Sequence, residues 1–317
     1  MLTMTSFDEV LTLTDAISVE KVAHELCAGT IDSAAWVDTA REAWDDLPSS
    51  LRRAVRRFRR HSGPRGALLL RGLPVDETAL PRTPTVDGSV QRVATTPAAV
   101  LMLLACGLGD PIAYRREKSG ALVQDVVPVP GKENFQGNAG SVMLSFHTEN
   151  AFHPYRPDYV ALLCLRPDHD RQAELRTACI REVSLPCDTK EVLFSAEFRT
   201  DPPPSFGGGD STAPHPVLTG SWDDPDLRVD LSATAPLTAR AASALASLQE
   251  HLTLAVRTVR LVPGDLAIVD NRVTVHGRSE FTPRYDGRDR WLQRTFVATD
   301  LRRSRGCRPY DGYVVED

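Results

Sequence analysis

Apolar positions repeat at helical spacing across residues 15–62. Trp36, Ala40, Trp44 and Leu47 share one face, and after Pro48 the series Leu51, Ala54, Val55 and Phe58 resumes the period. Six arginines, Arg52, Arg53, Arg56, Arg57, Arg59 and Arg60, occupy the other positions of that second stretch. They read as a solvated helix face in preference to a nucleic-acid arm, since no aromatic residue interleaves with the charges. The apolar run "GALLLRGLPVD" (66–76), closed by Gly and Pro, predicts a buried strand, and "ETALPRTPTVDGS" a loop. "TTPAAVLMLLACGLG" predicts a helix with Thr96 as N-cap, Pro97 in its first turn and glycine at its end.

From "IAYRREKSGALVQDVV" onward the texture changes to short strands broken by Pro, Gly and Asn. "DYVALLCLRP", "LRTACIREVSL", "LRVDLSA", "VRLVPGDLAIVDNRVTVHG" and "RWLQRTFVAT" recur at intervals expected of a sandwich or barrel. One helical segment, "TARAASALASLQEHLTLAVRT", interrupts them and places Leu245, Leu248, Leu252 and Val256 on one face. "PPPSFGGGDST" (202–212) has the composition of a mobile lid. The expectation is a single domain, mainly β with flanking helices (α+β): an N-terminal helical layer (1–64), a β core (65–305) with a helical insertion near 236–258, and a tail (306–317).

Composition acts by exclusion. A net charge of −5 over 317 residues gives no global attraction to nucleic acid or acidic membranes. Six cysteines without a C-x-x-C pair suggest reduced thiols. The N-terminus has no basic segment followed by an apolar one, and no run approaches the ~20 apolar residues of a membrane helix. A cytoplasmic protein is expected.

The chemistry begins at "SFHTENAFHPYRPDY" (145–159), where an apolar, aromatic run contains His147 and Glu149. In a strand these two point the same way while Phe146 and Thr148 point the other. Imidazole plus carboxylate begins the two-histidine, one-carboxylate triad that binds Fe(II) with positions left open; the tripeptide alone is equally compatible with a surface His/Glu pair. Of the other seven histidines, His276 stands apart, following the strand-like "DLAIVDNRVTV" and preceding a glycine that lets the backbone turn closely. His153 reads as a supporting or packing residue, and His24 and His251 as ordinary helix residues. His61, His169 and His215 lie in loops without a partner at ligand spacing. Arg290 and Arg294, four apart in "RWLQRTFV" and its approach, would share a strand face. Two guanidinium groups in a sheet interior require anions, which points to carboxylate partners; two exposed arginines are the alternative.

"HTENAFHPYRPDYVALLCLR", "VDNRVTVHGR" and "RWLQRTFV", in that order, resemble the clavaminate synthase-like branch of the Fe(II)/2-oxoglutarate-dependent oxygenases, over roughly residues 65–305. That branch holds bacterial hydroxylases of free amino acids such as arginine, asparagine and lysine. The resemblance implies a double-stranded β-helix (jelly-roll) core and makes His147, Glu149 and His276 the iron ligands. Arg290 takes the place of the arginine holding the far carboxylate of 2-oxoglutarate, and Thr177 that of a threonine touching the same cosubstrate. Arg294 matches the arginine gripping the amino acid's α-carboxylate, and Gln124 a glutamine near the substrate's backbone end. Fe(II), 2-oxoglutarate and O2 are the implied cofactors, and a small amino acid the partner, with neither nucleic acid nor membrane.

For the substrate's far end, "LRVDLSA" puts Asp230 and Ser232 where arginine hydroxylases of this branch have an acidic pair. The expectation is hydroxylation at C3 or C4 of a free L-amino acid with a long polar side chain, of the citrulline, arginine, lysine or ornithine type, in specialised-metabolite (antibiotic) biosynthesis. Desaturation or cyclisation with the same cofactors is one alternative, and a non-catalytic metal-binding jelly-roll sensor another. Halogenation is disfavoured because Glu149 fills the position a halide would need. Asp223, Asp224 and Asp226 read as a polar turn.

Overall fold

In the computed structural model, which describes residues 8–316, the helical period of the N-terminal region resolves into three helices, α1 (Leu13–Glu25), α2 (Ala34–Ala43) and α3 (Ser49–Arg60). The arginine-rich face of α3 is solvated, with Arg52 and Arg56 reaching Asp45, both at 3.4 Å. The part of the expected N-terminal layer before residue 8, and residue 317 of the tail, lie outside the described residues.

Behind these helices lies α4 (Thr96–Leu108), whose side chains from Ala98 to Leu108 are all buried. A helix apolar on every side must be covered on every side. Helices α1 to α3 cover it from outside and a large sheet from inside. Gly107 permits the closest approach, since a Cβ there would fall 2.4 Å from the Trp44 ring. The N-cap is Thr95, whose hydroxyl accepts from Ala98 N at 3.4 Å, in place of the expected Thr96. Thr96 is already helical, and a cap must retain extended backbone.

The large sheet runs in the order Asp8–Val10, Ala67–Arg71, Leu266–Asp270, Tyr159–Arg166, Trp291–Ala298, Asp110–Tyr114 and Val314–Val315. Val123–Val126 also pairs with Trp291–Ala298. A second sheet faces it, in the order Arg257–Val259, Leu175–Cys179, Thr274–Arg278 and Leu144–His147. Its outer face carries Phe146, Ala178 and Val275, which pack against α5 (Cys187–Leu193) and α6 (Ala239–Leu254). Helix α6 ends at Leu254, so Val256 packs on that core from beyond the helix and not along the Leu248 and Leu252 stripe. The two facing sheets form the jelly-roll core. None of the described helices is long and apolar enough to cross a membrane.

Alternation along strands then determines what points between the sheets. On Trp291–Ala298, Trp291 and Val297 join the helix-side core, while Leu292 and Phe296 join the inner one. Arg290 and Arg294 therefore fall on the inner side. On the smaller sheet Phe146, Ala178 and Val275 face outward, which turns His147, Thr177 and His276 inward.

Two predicted strands are corrected. "VRLVPGDLAIVDNRVTVHG" (259–277) starts on the last residue of the strand Arg257–Val259 and then holds two separate strands, Leu266–Asp270 and Thr274–Arg278, the latter running one residue further. The chain leaves the large sheet at Asp270, whose carboxylate accepts from Arg272 N at 3.1 Å, and enters the small one. His276 thus lies within a strand and not at its end. "LRVDLSA" is not a strand: Pro225–Leu227 ends at Leu227, and Asp230 makes a single bridge to His147 before a turn. Asp230 Oδ1 accepts from Ser232 N at 2.8 Å and from Ser232 Oγ at 2.6 Å, a side-chain turn that competes with the ladder.

Candidate active site

Between the sheets, His147, Glu149 and His276 each offer a ligand atom, and these atoms lie within 4.8 Å of one another. His276 stands opposite His147 on one neighbouring strand and opposite Thr177 on the other. Gly277 makes the first pairing possible, because a Cβ there would lie 2.5 Å from Leu144 O. Glu149 reaches the site by another route than the expected strand face. The strand ends at His147, Thr148 turns away with its hydroxyl 3.1 Å from Val229 O, and Glu149 lies in the following turn. Buried Asn271 fixes that turn: its Oδ1 accepts from Glu149 N at 2.6 Å, and its Nδ2 donates to Glu149 O at 3.1 Å and Pro157 O at 2.8 Å.

The donor set suits a divalent transition metal. His147 Nδ1 lies 2.9 Å from Ser145 O, which can only accept, so in the neutral ring Nδ1 is the nitrogen that carries the proton and Nε2 the one left to ligate. His276 Nε2 is 3.5 Å from Glu149 Oε2. Burial, then the neighbouring His147, lowers the His276 pKa, favouring the neutral imidazole that ligation requires. Burial alone would raise the Glu149 carboxyl, but Arg294, followed by His276 and His147, outweighs it and holds the group below the usual carboxylate range.

Arg294, 2% exposed, is the centre of a polar cluster. Nη1 donates to Glu149 Oε1 at 2.9 Å, and Nη2 donates to Glu117 and Gln124. With its amide oxygen turned inward, Asn138 accepts from both at 3.0 and 3.1 Å. Burial pushes the Glu117 pKa up, Arg294 opposes it, and Glu117 Oε2 is buried without a partner among the described residues. Glu117 and Asn138 were missed in the sequence. Glu117 precedes a turn in which Lys118 and Ser119 have φ of 47° and 55°, and Asn138 lies in the long connection after Val123–Val126.

Arg290 is the opposite case. It is 7% exposed and makes no hydrogen bond or ion pair among the described residues; its guanidinium lies 5.8 Å from the Phe281 ring. The other face of the site pairs Arg278 with the same ring at 4.9 Å. Burial lowers both arginine pKa values, that of Arg278 to about 9.

A cavity of 330 Å³ opens onto this centre, lined by His147, Glu149, Glu117, Asn138, Asp230 and Ser232 among others. Gln124, Thr177, His276, Arg290 and Arg294 are not among the residues lining it. Asp230 and Ser232 do come together there, as a turn in place of the expected same-face strand pair. Phe206 of the 202–212 segment also lines the cavity. His153 packs its ring 4.8 Å from Tyr114 and accepts from Tyr155 N at 3.0 Å. His169, which had no partner at ligand spacing in the sequence, faces Asp286 and Asp289. Asp224 pairs with Arg181 at 2.6 Å in the polar turn.

A family model, "Taurine catabolism dioxygenase TauD, TfdA family", matches residues 222–296. The L-asparagine oxygenase of Streptomyces coelicolor is 62% identical over 98% of this chain and 95% of its own length. Clavaminate synthase 2 of Streptomyces clavuligerus is 36% identical over 84% of each. A crystal structure of asparagine oxygenase with Fe(II), (2S,3S)-3-hydroxyasparagine and succinate superposes with a TM-score of 0.97 at 61% identity, covering 98% of this chain and all of that one. The chain therefore belongs to the Fe(II)- and 2-oxoglutarate-dependent oxygenases, in the clavaminate synthase-like branch whose members hydroxylate amino acids.

Proposed function

We propose that this enzyme hydroxylates free L-asparagine at C3. The observation carrying the reading is the cluster around Arg294, which has the groups an α-amino acid needs. Arg294 supplies a forked cation for the α-carboxylate. Glu117 supplies a buried carboxylate oxygen that lacks a donor, suited to the α-ammonium. Asn138 and Asp230 line the same cavity and offer donor and acceptor atoms to a carboxamide. The relative named L-asparagine oxygenase, 62% identical, supports the choice. The expectation of a long polar side chain rested on Asp230 and Ser232 standing, within a strand, where arginine hydroxylases of the branch have an acidic pair; in the fold the two instead close on each other in a turn.

His147, Glu149 and His276 would hold the iron, and Arg290 with Thr177 would hold the far carboxylate of 2-oxoglutarate. The iron with 2-oxoglutarate and O2 supplies the oxidising power that converts an aliphatic C–H to C–OH, with succinate and CO2 formed. With Glu149 serving the iron, Arg294 Nη1, now on Glu149 at 2.9 Å, would be available to the substrate carboxylate. Held at both ends, the substrate presents one C–H, and positioning of this kind is the protein's main contribution.

The test is succinate formation across a panel of free amino acids, with the product carbon identified by NMR. Asparagine should give the highest kcat/KM and a 3-hydroxy product. Preferred turnover of citrulline, arginine, lysine or ornithine would overturn the assignment.

A further inference from the structure

We propose a second metal site, remote from the iron triad, in which His169, Asp286 and Asp289 bind a divalent first-row transition-metal ion and brace the segment that delivers Arg290. His169 Nε2 lies 3.2 Å from Asp286 Oδ1 and 3.9 Å from Asp289 Oδ1, and one ligand atom from each residue falls within 4.8 Å of the others. Metal bonds of about 2.1 Å place neighbouring ligand atoms roughly 3.0–3.5 Å apart, so the three need only small adjustments to share one ion. Imidazole with two carboxylates is a borderline-hard set suited to Zn2+ or Fe2+.

The second observation is the state of Asp289. It is 2% exposed, yet it has no arginine or lysine partner among the described residues. Its Oδ1 accepts from Arg284 N at 2.7 Å, while Oδ2 is buried with no hydrogen-bond partner. The nearby cation Arg284 is directed instead to Asp170 at 2.9 Å. A buried carboxylate with no ion pair to an arginine or lysine and one oxygen unpartnered is costly, and a metal ion would remove that cost.

The placement gives the site a purpose. His169 belongs to the connection between Tyr159–Arg166 and Leu175–Cys179, which Asp168 orders by accepting from Gln172 N at 2.7 Å and Ala173 N at 3.1 Å. Asp286 and Asp289 belong to the segment between Thr274–Arg278 and Trp291–Ala298, and Asp289 adjoins Arg290. An ion joining the two connections fixes the backbone from which Arg290 projects. That consequence rests on the cosubstrate role given to Arg290, whereas the binding of metal does not.

The experiment is metal stoichiometry on full-length protein, stripped with chelator, loaded with Zn2+, passed through size exclusion and measured by plasma mass spectrometry. Wild type should retain two equivalents. His169→Gln and the near-isosteric Asp289→Asn should each retain one, and His276→Ala should also retain one. A single equivalent in wild type and none in His276→Ala would leave a hydrogen-bonded His–Asp cluster and overturn the site. Two equivalents persisting in both His169→Gln and Asp289→Asn, or a second equivalent lost on the column as an adventitious ion only, would overturn it equally. With iron loaded, His169→Gln should raise the 2-oxoglutarate KM about fivefold with kcat retained. Should stoichiometry fall as expected and KM stay fixed, the metal site stands and its coupling to Arg290 fails.

Discussion

Two buried arginines, Arg290 just before the strand Trp291–Ala298 and Arg294 within it, live in opposite surroundings. Arg294 is saturated, holding Glu117, Glu149, Gln124 and Asn138. Arg290, four residues away and similarly buried, lies 5.8 Å from an aromatic ring and has no hydrogen bond or ion pair among the described residues. A protein interior accepts a fully paired cation as part of its structure, whereas an unpaired one marks a place reserved for a ligand anion. Under the proposed roles, the difference separates a residue that both builds the site and binds from one that only binds.

The largest expected effect tests the first half. Arg294→Ala strands two buried carboxylates, so stability should fall by about 3–5 kcal/mol, the usual cost of breaking a buried pair from one side. Urea denaturation of the metal-free protein measures this, and an unchanged midpoint would show that the cluster carries no structural load. Arg290→Ala is expected to differ in sign as well as size. Removing an uncompensated cation should leave stability of the ligand-free protein unchanged or slightly higher, while the 2-oxoglutarate KM rises about a hundredfold, the roughly 3 kcal/mol of a charge-assisted pair. If Arg290→Ala destabilised the protein as much as Arg294→Ala, the contrast between the two would collapse.

A third change divides the Arg294 cluster. Glu117→Gln keeps shape and a hydrogen-bond acceptor but removes the charge proposed to meet the α-ammonium. The asparagine KM should rise some tenfold to hundredfold, as for loss of a charge-assisted hydrogen bond, with the 2-oxoglutarate KM unaltered. Parallel movement of both constants would mean that Glu117 acts through Arg294 on the whole site and not on the amino acid.

The contrast is partly legible in the sequence. Residue types at the iron triad were readable from H-x-E and a histidine before glycine, and strand alternation already placed the two arginines on one face. The route of Glu149 was not, because alternation says nothing about where a strand ends, and the turn depends on Asn271, 122 residues away in sequence. Asp230 and Ser232 line the cavity but as a turn in place of a strand, since Asp and Ser favour bonding to nearby backbone over continuing a ladder. Glu117 and Asn138 carried no motif. What distinguishes them is burial beside Arg294, a tertiary property. His169 was dismissed for the same reason: its carboxylate partners lie more than a hundred residues downstream.

The smallest effect concerns what holds Arg290 in readiness. Phe281 is flanked by Arg278 at 4.9 Å and Arg290 at 5.8 Å, so one ring face or edge serves each guanidinium. Each such contact contributes about 0.5–1 kcal/mol, and Phe281→Leu retains most of the apolar volume while removing the aromatic quadrupole. The 2-oxoglutarate KM should rise only threefold to fivefold, with kcat and the asparagine KM retained. Phe281→Tyr, which keeps the ring, should restore the wild-type value. Failure of Tyr to do better than Leu would locate the effect in packing, and Arg290 would then be positioned by its backbone alone.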